Sequence, residues 1–227
     1  MSSVRQGLGK RLAPVIADRA PGLTSSFVRE ALTRAIDGVG PLPPAASAAK
    51  AQLKEQRGDV DQAIHEVIEN HVRYAGAQGF VTNLGGVATA TLMVPANVTG
   101  LALVQCRMVA GIAHLRHHDL DDPRVRNAIL VCLLGEESIS ELITRKRLPA
   151  PPMAIATAPA HDPAMDSMLA GEVATELLGR VAGKRLAGVA GKRIPLVGGL
   201  IGAGTDGYAT WKIGRYTERE LLPRTRR

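Results

Sequence analysis

Apolar residues recur at helical spacing along most of this chain, and the pattern predicts helices rather than strands. An amphipathic helix is predicted over residues 4–19, with an apolar face made of Val4, Leu8, Leu12, Val15 and Ile16. Basic residues occupy much of the rest of this helix, as in helices that lie on membrane surfaces, although it can equally dock on its own domain. A second helix is predicted over 24–37, ending at Gly38 and the GPLPP turn.

A stronger helix is predicted to begin at Asp59. Its carboxylate accepts from free backbone amides, and Gln62 at the third helical position is the matching capping-box residue. The buried face of this helix is marked by Val60, Ile64, Val67, Ile68 and Val72. His65 and His71 lie near this stripe, and we interpret them as surface or boundary histidines rather than ligands.

The next segment carries no charge over the 33 residues from Tyr74 to Cys106. It is long enough for a bilayer-spanning helix, which needs about 20 mostly apolar residues. Five glycines and Pro95 interrupt it, however, and a proline inside a helix removes a backbone hydrogen bond. We therefore predict a Gly-rich turn near 83–86 and then a helix, kinked near Pro95, that continues to about His117. The segment is either the close-packed centre of a helical domain or a membrane-inserting element.

Two shorter helices are predicted after this run. Asp122 caps the first, and Pro123 takes its first position, where a missing N–H costs no hydrogen bond. Ser138 and Glu141 have the spacing of a capping box for the second.

The C-terminal third is predicted to be a helical hairpin. Five prolines mark 148–163 as an extended loop. A helix over about 165–193 follows, and then a Gly-rich helix runs from Pro195 towards Leu222. The fold class predicted from the whole pattern is all-α: a multi-helix domain with a kinked apolar, Gly-rich central helix and a C-terminal Gly-rich hairpin.

The composition indicates a core of small side chains, because hydrophobic residues reach 45% while aromatic residues make up 3%. Small residues let helix backbones approach closely, in membranes and in tight bundles alike. Cys106 and Cys132 lie in apolar surroundings, so we interpret them as buried, inert thiols. The N-terminus lacks the apolar core of a signal peptide, and the expected location is cytoplasmic.

The formal net charge is +7, with the excess largely at the two ends. Basic tails suit anionic phosphate, in lipids or in nucleic acids. Only six aromatic residues are available to stack on bases, which favours lipid over nucleic acid. The predicted contacts with an anionic membrane are the basic residues Arg5, Lys10, Arg11, Arg19, Arg224, Arg226 and Arg227.

One cluster of metal-ligating residue types lies within 114–122. His114 and His118 are four residues apart, and with Asp119 they are the candidate metal ligands. A helix is expected to end in this stretch, so we predict no bound metal or cofactor. The sequence contains no GxSxG, HEXXH or phosphate-binding loop motif, which argues against an enzyme.

The chain resembles the EcsC protein family in three segments: LGGVATATLMVPANVTGLALVQCRMVAGIAHL (84–115), DLDDPRVRNAILVCLLG (119–135) and GKRIPLVGGLIGAGTDGYATWKIGRYTERE (191–220). The resemblance implies a bacterial, mainly helical domain, with some relatives encoded beside ATP-driven transporter components. It implies no reaction and no catalytic residues. Members often have Gly and an aromatic residue where this chain has His117 and His118, so a function of that loop is not carried over.

These observations favour a non-enzymatic, membrane-associated or lipid-binding helical protein, peripheral at the inner face of the cell membrane. One alternative is a soluble helical adaptor, as a monomer or homo-oligomer, that binds a protein or a nucleic acid. A second alternative is a metal-dependent hydrolase centred on the 114–122 cluster. The predicted organisation is a basic amphipathic segment (1–22), an EcsC-like helical domain (23–222) and a basic tail (223–227).

Overall fold

The chain folds into helices connected by short turns. The computed structural model describes residues 25–40, 42–84, 86–190 and 195–224, without the side chains of 78–84, 86–99, 178, 180–190 and 195–203. Within these ranges there are nine helices and no strand, so the predicted all-α, multi-helix fold class is confirmed. In chain order they are α1 (Ser25–Asp37), α2 (Ala45–Glu55), α3 (Val60–Leu84), α4 (Gly86–Leu115), α5 (Pro123–Cys132), α6 (Glu136–Thr144), α7 (Pro152–Ala156), α8 (Pro163–Ala190) and α9 (Pro195–Glu220).

Three long helices, α3, α4 and α9, form the centre of the fold. The most extensive contact is between α9 and α3, and α4 packs against both. The helices α1 and α2 cover α4, while α8 packs on α1 and α5. Because Ile68 lies beside Gly214 and Val72 beside Gly207, α3 and α9 run antiparallel. The C-terminal end of α3 and the N-terminal end of α9 therefore lie at the same end of the domain.

Glycine allows α9 to approach α3 and α4 closely. A Cβ atom built on Gly214 would lie 2.9 Å from Ile68 Cγ1 and 3.2 Å from Met108 Sδ, closer than ordinary van der Waals contact. Closer to the start of α9, the side-chain amide of Gln105 donates to the Thr210 hydroxyl at 3.1 Å, which links α4 to α9 through a buried hydrogen bond. The close approach of these helices therefore depends on small residues at their contacts.

The two cysteines are buried and free, as predicted. Burial raises the pKa of Cys106 and of Cys132 to about 12 each, so both remain protonated thiols at neutral pH. A protonated, buried thiol is a poor nucleophile. The predicted burial of both residues is confirmed, and their inert character stays a prediction.

Two predicted helix starts are confirmed. The Gln62 N–H donates to the Asp59 Oδ1 at 3.0 Å, one residue before α3. Asp122 is the N-cap of α5, accepting from the Arg124 N–H at 2.9 Å, and Pro123 follows as the first helical residue. Both helix starts depend on local signals, because the capping side chain accepts from an amide no more than three residues away.

The predicted capping box at Ser138 is wrong. Gly135 is the N-cap of α6, with φ of 76°, and this conformation lets the helix begin at Glu136, two residues before Ser138. The Ser138 hydroxyl instead donates to Glu176 at 3.0 Å, which ties α6 to α8. The sequence reading also missed α2 entirely, and it missed the single-turn α7 within the 148–163 loop.

The central helix begins where it was predicted to begin. Since α3 ends at Leu84 and α4 starts at Gly86, the change of helix falls inside the predicted Gly-rich turn. The backbone of α4 stays helical through Pro95 to Leu115, two residues before the predicted end. The kink at Pro95 stays a prediction, because a helical backbone by itself does not measure a bend of the axis. The contacts of a hairpin between α8 and α9 fall largely on side chains outside the described part, and they too stay a prediction.

Candidate membrane-facing surface

Half of the aromatic residues of this chain are exposed at one level of the α3–α9 pair. Tyr74 is 64% exposed, Tyr208 63% and Trp211 41%. A Cβ atom built on Gly207 would lie 3.6 Å from Val72 and 4.0 Å from Gly76, so the neighbouring Tyr208 and Tyr74 lie at a similar height along the two antiparallel helices. We call Tyr74, Tyr208 and Trp211 the aromatic belt.

Each residue of the aromatic belt has a defined ring contact. Tyr208 and Trp211 are three residues apart on one face of α9, and their rings stack at 6.0 Å with an interplanar angle of 17°. Tyr74 meets His71 edge to face at 6.1 Å. Such pairs contribute about 0.5–1.5 kcal/mol each, so the rings are oriented while still open to solvent.

The aromatic belt separates a charged region from an uncharged one. On one side, Lys212 pairs with Glu137 and Arg219 with Glu136, both at 2.7 Å. On the other side, the sequence of α3 after Arg73, of α4 before Arg107 and of α9 before Asp206 contains no charged residue. Tyrosine and tryptophan are enriched at such boundaries in membrane proteins, because each ring is apolar with one polar group.

A segment that contains basic residues but no Asp or Glu precedes and includes the uncharged start of α9 in the sequence. Between Glu176 and Asp206 the sequence has no acidic residue and five basic ones: Arg180, Lys184, Arg185, Lys192 and Arg193. In the sequence, the last two come shortly before Pro195, the first residue of α9, and they lie outside the described residues. This segment lies away from the basic chain ends from which the membrane contacts were predicted, and the absence of acidic residues is the sequence signal that distinguishes it.

The basic ends do not reach this surface in the described part of the chain. Arg5, Lys10, Arg11, Arg19, Arg226 and Arg227 lie outside the described residues. The Arg224 N–H donates to the Arg116 carbonyl at 2.9 Å, just beyond the end of α4 that is remote from the uncharged residues. About 14 Å of helix separates Trp211 from the end of α9 at Glu220. Arg224 and the uncharged helix ends are therefore not brought together.

The candidate metal ligands do not converge. His117 has φ of 64°, so the chain leaves the helical path before His118 and loses the one-turn register with His114. His118 is buried, where its Nε2–H donates to the Leu222 carbonyl at 3.0 Å. Asp119 is exposed and accepts from the Asp121 N–H. Throughout the described ranges, no group of three His, Cys, Asp or Glu side chains is arranged to hold a metal ion.

Burial is the main cause that lowers the pKa of His118, and the nearby Arg224 acts in the same direction. The imidazole is therefore neutral at pH 7, and it anchors the chain after α9 rather than serving as a ligand. Asp122 is held ionised by its hydrogen bonds from Arg124, which lower its pKa. Both residues have structural roles at the end of α4 and the start of α5.

Comparison with known proteins assigns no function to this surface. No protein-family model matches the chain, and no curated protein or solved structure matches it. The resemblance to the EcsC family stays a prediction.

Proposed function

We propose that this protein binds anionic membranes peripherally, with the uncharged ends of α3, α4 and α9 towards the lipid and the aromatic belt at the interface. The observation that carries the proposal is the position of the belt, between ion-paired residues and uncharged helix ends. The basic segment between Glu176 and Asp206 supports an anionic surface, since each Lys or Arg near such a surface contributes about 1 kcal/mol.

The ion pairs beside the aromatic belt limit how deep the domain enters the lipid. Lys212, directly after Trp211, is paired with Glu137. Removing such a pair from water costs several kcal/mol per ion, so insertion stops at the level of the belt. Among the helices as far as they are described, none is both long enough and apolar enough for a bilayer crossing.

Trp211 provides a direct test, because it is the only tryptophan of the chain. We expect its fluorescence to shift to shorter wavelength when vesicles containing 30% phosphatidylglycerol are added at low salt. Pure phosphatidylcholine vesicles should produce a smaller shift, and 0.5 M NaCl should reduce the anionic response because salt screens the charges. A protein that stays in the supernatant with sedimented anionic vesicles at low salt would contradict the proposal.

The double variant Tyr208→Ser/Trp211→Ser should weaken vesicle binding at least tenfold in co-sedimentation. Burying one such ring contributes about 1.5–3 kcal/mol, and 1.4 kcal/mol corresponds to a factor of ten. Met168→Ser is the matched control, since Met168 is also an exposed apolar residue but lies near the start of α8. An equal loss in the control and the double variant would argue against a specific role of the belt.

A further inference from the structure

Arg107 is a buried cation without a described counter-ion. It ends the uncharged run on α4 and is 9% exposed. Its Nη1 donates to the Ala35 carbonyl in the last turn of α1, at the long distance of 3.5 Å. No acidic side chain within the described ranges forms an ion pair with it. A guanidinium has five N–H donors, and burying it without an anion is costly, so its environment is suited to accept one.

Arg107 lines a groove between α2, α3 and α4. The groove has a volume of about 260 Å³. Small residues, among them Ala45, Ala48, Ala49 and Gly111, form much of its wall and leave space beside the guanidinium. Gln52, Asn70 and Tyr74 add polar groups to the lining. The groove therefore offers apolar surface, a few polar side chains and a single positive group, which is the arrangement that an amphiphilic anion requires.

His71 lines the same groove without adding a second charge. Its Nδ1–H donates to the Val67 carbonyl at 2.7 Å, which leaves Nε2 as a hydrogen-bond acceptor. Burial, together with the positive charge of Arg107, lowers the pKa of His71 to about 4, although the bond to Val67 opposes the shift. At neutral pH the two residues carry one positive charge between them, so the groove presents a single cation to an anionic head group.

The geometry points to a binding site in which Arg107 holds the oxyanion head of a small amphiphile, a carboxylate or a phosphate ester, with its short aliphatic chain along the alanine wall. The volume lies below the roughly 300–1,000 Å³ of pockets for larger ligands, so a single short chain fits better than a complete two-chain lipid. Tyr74 belongs to the aromatic belt and also lines this groove. The inference nevertheless does not require the proposed membrane contact, because the ligand binds from solution.

The test is calorimetric titration of the full chain, without vesicles, with four probes: octanoate, octyl phosphate, inorganic phosphate and 1-octanol. We expect octanoate or octyl phosphate to bind at least tenfold more tightly than inorganic phosphate and 1-octanol. The tighter of the first two identifies the head group. If 1-octanol binds as tightly as octanoate and octyl phosphate, the anion site is overturned. If inorganic phosphate binds as tightly as they do, the role of the aliphatic chain is overturned. If none of the four probes binds, both parts of the inference are overturned.

Two variants locate the site. Arg107→Met keeps much of the side-chain length and removes the charge, and we expect at least a tenfold loss of affinity, as for a charge-assisted hydrogen bond. Ala48→Leu fills the groove at a half-buried position and should weaken binding while Arg107 stays in place. If Arg107→Met fails to fold, the Ala48→Leu variant still tests whether the ligand binds in the groove. Unchanged affinity in either folded variant would overturn the assignment.

The matched control is Arg126→Met. Arg126 also donates to a backbone carbonyl, that of Leu120 at 2.8 Å, but it does not line the groove. We expect this variant to keep the affinity of the unmodified protein. A loss equal to that of Arg107→Met would mean that the effect is general destabilisation and would overturn the site.

Discussion

Gly214→Ala should lower the free energy of unfolding by about 2 kcal/mol, as expected for overpacking of a well-packed core. The added methyl group would lie 2.9 and 3.0 Å from the two Cγ atoms of Ile68 and 3.2 Å from Met108 Sδ. Both neighbours are almost completely buried, so neither can move away without displacing other core residues. The substitution therefore separates α9 from α3 and α4.

Gly171→Ala is the matched control for this experiment. Gly171 lies inside α8, and a Cβ atom there would meet nothing within 4 Å. Alanine is favoured over glycine in a helix by up to about 1 kcal/mol, so this variant should be stabilised. Urea denaturation of both variants measures the difference, and the two changes should have opposite signs. Destabilisation of both proteins by similar amounts would refute the close packing at Gly214.

The second large effect is a loss of stability in acid. Burial lowers the pKa of His71 to about 4 in the folded chain, while the pKa of a histidine in an unfolded chain is about 6.5. Between these two pH values the unfolded state binds the extra proton, so the free energy of unfolding falls as the pH falls. At about 1.4 kcal/mol per pKa unit, His71 accounts for a loss of about 3 kcal/mol from pH 7 to pH 4. His118, whose pKa is also lowered, adds a change in the same direction.

Urea midpoints measured from pH 7 to pH 4 test this dependence. His71→Gln keeps a donor for the Val67 carbonyl and removes the titrating ring, so the curve should become flatter. His65→Gln is the matched control, because His65 lies on the same helix and is exposed, and its curve should follow that of the unmodified protein. A full acid-induced loss in His71→Gln would show that another group causes it.

Local signals in the sequence predicted most of the helices. Asp59 and Asp122 mark helix starts through bonds to amides no more than three residues away, and these were confirmed. The capping box predicted at Ser138 was wrong because the start of α6 depends on the positive φ of Gly135, which a capping-box pattern does not reveal. The Ala-rich α2 was missed because small residues give no clear apolar stripe.

The candidate surfaces were less predictable than the helices. Tyr74 and Tyr208 are distant in sequence and reach one level only because α3 and α9 run antiparallel. The spacing of His114 and His118 would place both on one face only of a continuing helix, and α4 ends at Leu115, so the two side chains are not in register. His71 was interpreted as a boundary residue, and only the packing of α2 beside α3 and α4 places it in a groove with Arg107.

The sequence by itself determined the all-α class, two of the helix starts and the burial of the cysteines, because each depends on local periodicity, capping or composition. It also located the uncharged run from Tyr74 to Cys106. The tertiary structure alone decided which groups lie together: the aromatic belt at the border of that run, and Arg107 buried beside His71. These arrangements depend on the direction and close approach of helices remote in sequence, which Gly207 and Gly214 permit.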